Sequence, residues 1–257
     1  MLRRCYRPLL LLPLLWSCAV KQAARTRAHY EASLLPPGLS GPQPLIRDDF
    51  LIDIDTERVR LTKAYFEAHN RTLAAMLPAS DDAGAITFDP AIVVVHYTVT
   101  PTLAETVEHF TGNRILSTRS ISADGQLNVG VQFMVDRDGA IYRFYPENVM
   151  SRHTIGLNHT AIGIENIGAA DLGADDPLAL THAQLLANER LIRYLAGKYP
   201  NLGFMIGHSE YRDLEDPNHP AHHLFQEDIA TYRTDKVDPG DYFLRALRLR
   251  LAQLPLS

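Results

Sequence analysis

A chain of 257 residues, 46% apolar and 21% charged with a net charge of −5, has room for one fair-sized domain with extensions, or for two small ones. The acidic balance excludes a dedicated nucleic-acid binder of the basic-face kind, so no such partner is expected. Past the N-terminal segment no run of 18 apolar residues occurs, which excludes a polytopic membrane protein.

The first residues stand apart. "MLRRCYRPLLLLPLLWSCAV" runs from basic (Arg3, Arg4, Arg7) through a leucine-rich stretch to small residues, the order of a secretory signal. Its "LWSC" resembles the lipobox of bacterial lipoproteins, although Trp16 stands where a small residue is usual. Residues 1–17 are therefore expected to be a lipoprotein-type signal peptide and Cys18 the lipidated residue. The only cysteines are Cys5 and Cys18, so the mature chain needs no disulfide framework. An exported protein of the cell envelope follows, tied to a membrane by an N-terminal lipid anchor. Ala19 in place of aspartate points to the outer membrane, with the domain facing the periplasm.

Residues 18–45, rich in proline and mixed in charge, read as a tether. Residues 46–89 read as a helical extension. Within it, 53–77 form an amphipathic helix capped by Asp55 or Thr56, with Leu61, Ala64, Tyr65 and Ala68 on its apolar face. From residue 90 onward strands and helices alternate. "AIVVVHYT" (91–98) is a buried strand, "TLAETVEHF" a short helix, and "LNVGVQFMVDRDGAIYRFY" two strands joined at Asp138-Gly139. "TAIGIENIG" is a strand, "THAQLLANERLIRYLAGKY" a long helix capped by Thr181, "GFMIGH" a strand, and "GDYFLRALRLRLAQL" a closing helix. The expected fold is α/β: one domain (90–257) with a mixed β-sheet flanked by helices.

Strand ends draw attention next. His96 follows "IVVV", and His208 closes "FMIG", so both sit at carboxyl ends of strands, where α/β sheets place their sites. Asp238 lies in "KVDPG" ahead of the last helix. Two histidines and a carboxylate converging on one sheet edge suit a tetrahedral zinc with one position open to water.

"VVVHYT", "NVGVQFMVDRDGAIYRF", "RHTIGLNHTAIGIENIG", "GHSEYR" and "KVDPG" occur in the order seen in zinc N-acetylmuramoyl-L-alanine amidases of the amidase_2 type. That family is related to phage lysozyme-type amidases and to peptidoglycan recognition proteins, and this chain resembles its envelope lipoprotein branch. The resemblance covers residues 90–243 and implies one zinc ion held by His96, His208 and Asp238. Glu165 matches the catalytic glutamate and Lys236 the catalytic lysine. Tyr97, His153 and Asn158 match substrate-binding positions. The substrate implied is peptidoglycan or a muropeptide, cut between N-acetylmuramic acid and L-alanine, by a monomer. A peptidoglycan-binding module without catalysis, and a zinc peptidase or deacylase of another amide, are the alternatives.

The segment between His208 and Lys236 is long for this family and carries His219, His222 and His223. A rival metal site of His208, His219 and His222 is placed second, because "EDPNHPAHHLF" is rich in residues of irregular loops. The segment is expected to be an enlarged surface loop walling the substrate groove. "DRDG" at 136–139 is a hairpin turn, lacking the later ligands of a calcium loop.

Overall fold

The computed structural model describes residues 43–81, 84–115, 125–168, 176 and 179–257. The signal segment, Cys18 and all of the tether before residue 43 lie outside the described residues. Six strands form one mixed sheet: β1 (Ile46–Arg47), β2 (Ile92–Thr98), β3 (Phe133–Val135), β4 (Ile141–Arg143), β5 (Ala161–Ile167) and β6 (Phe204–Gly207), in the order β1-β4-β3-β5-β2-β6. All neighbours run parallel except β3 and β4, the hairpin. Its turn closes with a bond from Gly139 N–H to the Asp136 carbonyl, 2.8 Å. Gly139 has φ +85° and lies against the Ala183 backbone, so a side chain there meets both strain and a clash.

Helices α1 (Thr56–His69), α2 (Arg71–Ala74), α3 (Leu103–Thr111), α4 (His182–Lys198) and α5 (Asp241–Leu251) surround the sheet. Helix α4 begins in a capping box, Thr181 and Gln184 satisfying each other's backbone N–H groups. Together α4 and α5 cover one sheet face, burying Val93, Val95, Ile162 and Ile164 against Leu191, Leu195, Leu244 and Leu247. Each fully buried side chain of this kind contributes about 1.5–3 kcal/mol. Among the described residues no helix is long and apolar enough to cross a membrane.

The N-terminal region departs from expectation in three ways, the first being that it supplies the edge strand β1, paired with β4, to a sheet expected to begin after residue 90. One helix was expected through Leu77, but α1 ends at His69. Asn70 leaves helical geometry (φ −154°) and caps α2, accepting from Leu73 N–H at 3.0 Å. The buried face also differs: Leu61 and Tyr65 face inward, whereas Ala64 and Ala68 are exposed. Arg58, Val59, Thr62, Phe66 and His69 complete the buried side instead. Arg58 turns inward to donate to Asn113 Oδ1 and to the Gly112 carbonyl.

The segment after β6 is no loose loop. Two 3₁₀ turns (His208–Glu215 and His222–Leu224) fold Tyr211, Leu214, Ala221 and Tyr232 against Ile92, Val94, Ile155, Leu157 and Ile206. It covers the sheet face opposite α4 and α5, the job a helix does elsewhere in such folds. It is also tied to the N-terminal region. Asp228 N–H donates to the His69 carbonyl at 2.9 Å, Asn70 to the Gln226 side chain at 2.9 Å, and the Glu227 carboxylate meets His69 Nδ1 at 3.0 Å.

Candidate metal centre

Side chains alternate along a strand, so Ile92, Val94 and His96 share one face of β2, and Val93, Val95 and Tyr97 the other. Parallel β2 and β5 pair with His96 opposite Glu165, which places both on the same face. β6 pairs Gly207 with Val95, so His208 leaves the sheet one residue later beside His96. Gly207 has no room for a side chain: a Cβ there would lie 2.4 Å from Leu244 Cδ1. This close packing seats the chain end that carries His208. Asp238 arrives from the far end of the long segment, its carbonyl accepting from Ser209 N–H at 2.8 Å.

His96 Nδ1 lies 3.0 Å from His208 Nδ1 and 3.5 Å from Asp238 Oδ2, and His208 Nδ1 lies 3.1 Å from the same oxygen. Donors around a tetrahedral zinc with bonds of about 2.0–2.1 Å stand about 3.3 Å apart. The triangle fits that spacing, and nitrogen, nitrogen and carboxylate oxygen are zinc's preferred donors. Among the described residues this is the one cluster of three such groups able to hold a metal. His219, His222 and His223 do not join it. Their Nδ1 atoms bond locally, to Ala221 N–H, the Leu214 carbonyl and the Pro220 carbonyl respectively. The structure therefore gives no support to the rival site.

The electrostatics favour metal-ready states. Burial and then His96 push His208 down to about 4, so its ring is neutral at pH 7. Burial alone would raise Asp238, but the His208 ring, whose Nδ1 lies 3.1 Å from its Oδ2, and the neighbouring His96 outweigh it and hold the carboxyl well below the usual range. Burial and then the Asp238 charge push Glu165 well above the ordinary carboxylate range, with Lys236 opposing. Lys236 is exposed, within electrostatic reach of Glu165.

The three residues matched to substrate binding fare differently. Tyr97 points away from the metal ligands, because its neighbour His96 takes the site face. Its ring lies over Gly168 in the core beneath α4. Asn158 is buried and committed to the scaffold. Its Oδ1 accepts from His153 and Thr154 N–H, both 2.8 Å, while its amide donates to Tyr65 Oη at 3.0 Å. His153 does reach the site, with Nδ1 3.0 Å from His96 Nε2. The sequence reading also left out Asn166, whose buried amide donates to the His96 carbonyl at 3.0 Å and accepts from Asn188 of α4 at 2.7 Å. The "N" of "GIEN" was its only signal.

Near the same loop, burial pushes His159 down to about 4 from an ordinary 6.5. A histidine more acidic when folded favours the folded state above 6.5, and that stability is lost as the pH falls through 4. The parent is expected to lose stability over this window more steeply than His159→Gln. The difference is about 1–2 kcal/mol, discounted from about 1.4 kcal/mol per unit because the ring keeps some solvent. Urea unfolding at pH 7, 5 and 4 checks this, and equal slopes would refute it.

Comparison with known proteins places these residues in a family. The model described as N-acetylmuramoyl-L-alanine amidase (Amidase_2) matches residues 87–241, a span that holds His96, His153, Glu165, His208, Lys236 and Asp238. The chain belongs to the Amidase_2 family. It is 29% identical over 84 residues to the endolysin of Enterobacteria phage K11, covering 33% of this chain and 56% of that one. To peptidoglycan recognition protein 3 of Mus musculus it is 26% identical over 116 residues, covering 44% and 32%. It thus spans about half or less of the length of these curated relatives. Among solved structures it resembles the amidase LysCS from Clostridium intestinale URNW, with 27% identity, a TM-score of 0.37, and 55% and 84% of the two chains covered. It also resembles Drosophila peptidoglycan recognition protein SA, with 22% identity, a TM-score of 0.37, and 49% and 72% covered.

Proposed function

We propose that this protein is a zinc-dependent amidase that hydrolyses the bond between N-acetylmuramic acid and L-alanine in peptidoglycan or its fragments, in cell-wall turnover. The observation that carries the reading is the meeting of His96, His208 and Asp238, with Glu165 in register beside His96, inside the family's matched span. His96, His208 and Asp238 would hold one zinc ion, which when bound would supply an acidified water and Lewis-acid polarisation of the scissile carbonyl. Glu165 takes the water's proton and returns it to the leaving nitrogen. A carboxyl raised by burial suits both halves of that transfer. Lys236 contributes positive charge where the carbonyl oxygen becomes anionic. Water adds to the carbonyl carbon, the C–N bond breaks, and the products are a lactyl carboxylate and a stem peptide with a free amine.

Zinc-loaded protein incubated with defined muropeptides is expected to release free stem peptide, seen by mass spectrometry. A chelator should stop release, and added zinc should restore it. Binding without turnover would favour a recognition module, and cleavage only of another amide would favour a peptidase or deacylase. The order of residues 1–18 supports export and lipidation at Cys18, with an outer-membrane anchor facing the periplasm. Cys18→Ala should abolish incorporation of labelled palmitate, and retained labelling would remove this part of the reading.

A further inference from the structure

We propose that His153 is a positioning residue that fixes which nitrogen of His96 faces the metal. This inference rests on the zinc reading above and adds a role for a side chain that is not itself one of the three metal-facing groups.

The argument is one of proton counting. His153 Nε2 lies 3.2 Å from the Ala161 carbonyl, which can only accept, so Nε2 carries the ring's hydrogen. Its Nδ1 is therefore an acceptor, and it faces His96 Nε2 at 3.0 Å. His96 Nε2 must then be the donor. That leaves the lone pair of His96 on Nδ1, the atom 3.0 Å from His208 Nδ1 and 3.5 Å from Asp238 Oδ2. The Thr154 hydroxyl completes the arrangement, 2.9 Å from His153 Nδ1 and 3.4 Å from His96 Nε2. A backbone carbonyl thus sets one ring, and that ring sets the next.

Gly163 makes room for the device. It lies two residues before Glu165 on the same face of β5, and a Cβ there would stand 2.9 Å from His153 Cγ. The hollow left by this glycine receives the imidazole. Its own N–H is held by the Gln132 side chain at 2.6 Å, so the strand does not shift to close the gap. The two rings meet edge-on, 87° apart with centroids at 5.1 Å, an orientation suited to a direct N–H to N bond. Outer partners of metal-bound histidines fix ring tautomer and orientation, and their loss typically weakens metal binding 10- to 100-fold.

The test measures zinc affinity by chelator competition in the full chain, for parent, His153→Phe and His153→Gln. Phenylalanine keeps the ring's bulk without an acceptor, whereas glutamine restores one. His153→Phe is expected to bind zinc about 10- to 100-fold more weakly, and His153→Gln within a few fold of parent. Parent-like affinity in a folded His153→Phe overturns the inference, as does a loss that glutamine fails to rescue. If the parent itself binds no zinc, the metal reading fails instead. A second measurement needs no substitution: long-range proton–nitrogen correlation spectra of the zinc-free parent. His96 should show a bare Nδ1 and a protonated Nε2, and a proton on Nδ1 overturns the assignment.

Discussion

Glu165→Gln is expected to lower turnover of a muropeptide by about 10²–10⁴-fold, the range a positioned proton-transfer group contributes. The amide keeps the side chain's shape on β5, so zinc affinity should stay within a few fold of parent. The split separates proton transfer from metal binding. Loss of zinc alongside activity would point to a structural role for Glu165. Full retention of activity would remove it from the mechanism. The expectation is sharp because Glu165 lies in the sheet, opposite His96, where no loop movement can substitute another carboxylate.

The largest expected effect on stability lies far from that site. Arg58 is 2% exposed, and its guanidinium donates to Asn113 Oδ1 at 2.9 Å, to the Gly112 carbonyl at 2.7 Å and to the Tyr145 hydroxyl. Burial pushes Tyr145 up to about 12, so it meets the cation as a neutral phenol. Arg58 thereby pins α1 to the end of α3. Arg58→Ala leaves a cavity and strands buried acceptors, at a cost of about 3–5 kcal/mol. Lysine should recover little, having no planar fork to serve three acceptors. Equilibrium urea unfolding measures both variants; a loss below about 1 kcal/mol for alanine would sink the clamp.

These features differ in how far the sequence announced them. Strands β2 and β5 and helix α4 were legible because apolar runs, turn residues and the Thr181 cap agree locally. His96, His208 and Asp238 could be gathered because each stands at the end of such an element. Tyr97 misled for want of one step: a residue adjacent to a ligand on a strand must face away from it. Asn70 was passed over because helical periodicity continues through it, and only its own backbone reveals the break. The segment 208–232 looked like surface, since its prolines, asparagines and aspartates hide an irregularly spaced apolar set of Tyr211, Leu214, Ala221 and Tyr232. The role of His153 had no local signal at all, because its partner is 57 residues away.

The three metal-facing side chains rest on supports of unequal firmness. His96 sits within β2, paired with Glu165 of β5 on one side and one residue past the last β6 pair, Val95 with Gly207, on the other. Asp238 sits outside the sheet, with its carbonyl held by Ser209 N–H and its neighbours Val237 and Lys236 exposed. Amide hydrogens should therefore exchange slowly around His96 and Glu165 and quickly around Asp238, since backbone of this kind opens without the rest of the molecule. An ion held here would leave, and enter, by the Asp238 side. The protein would stay folded while it did so.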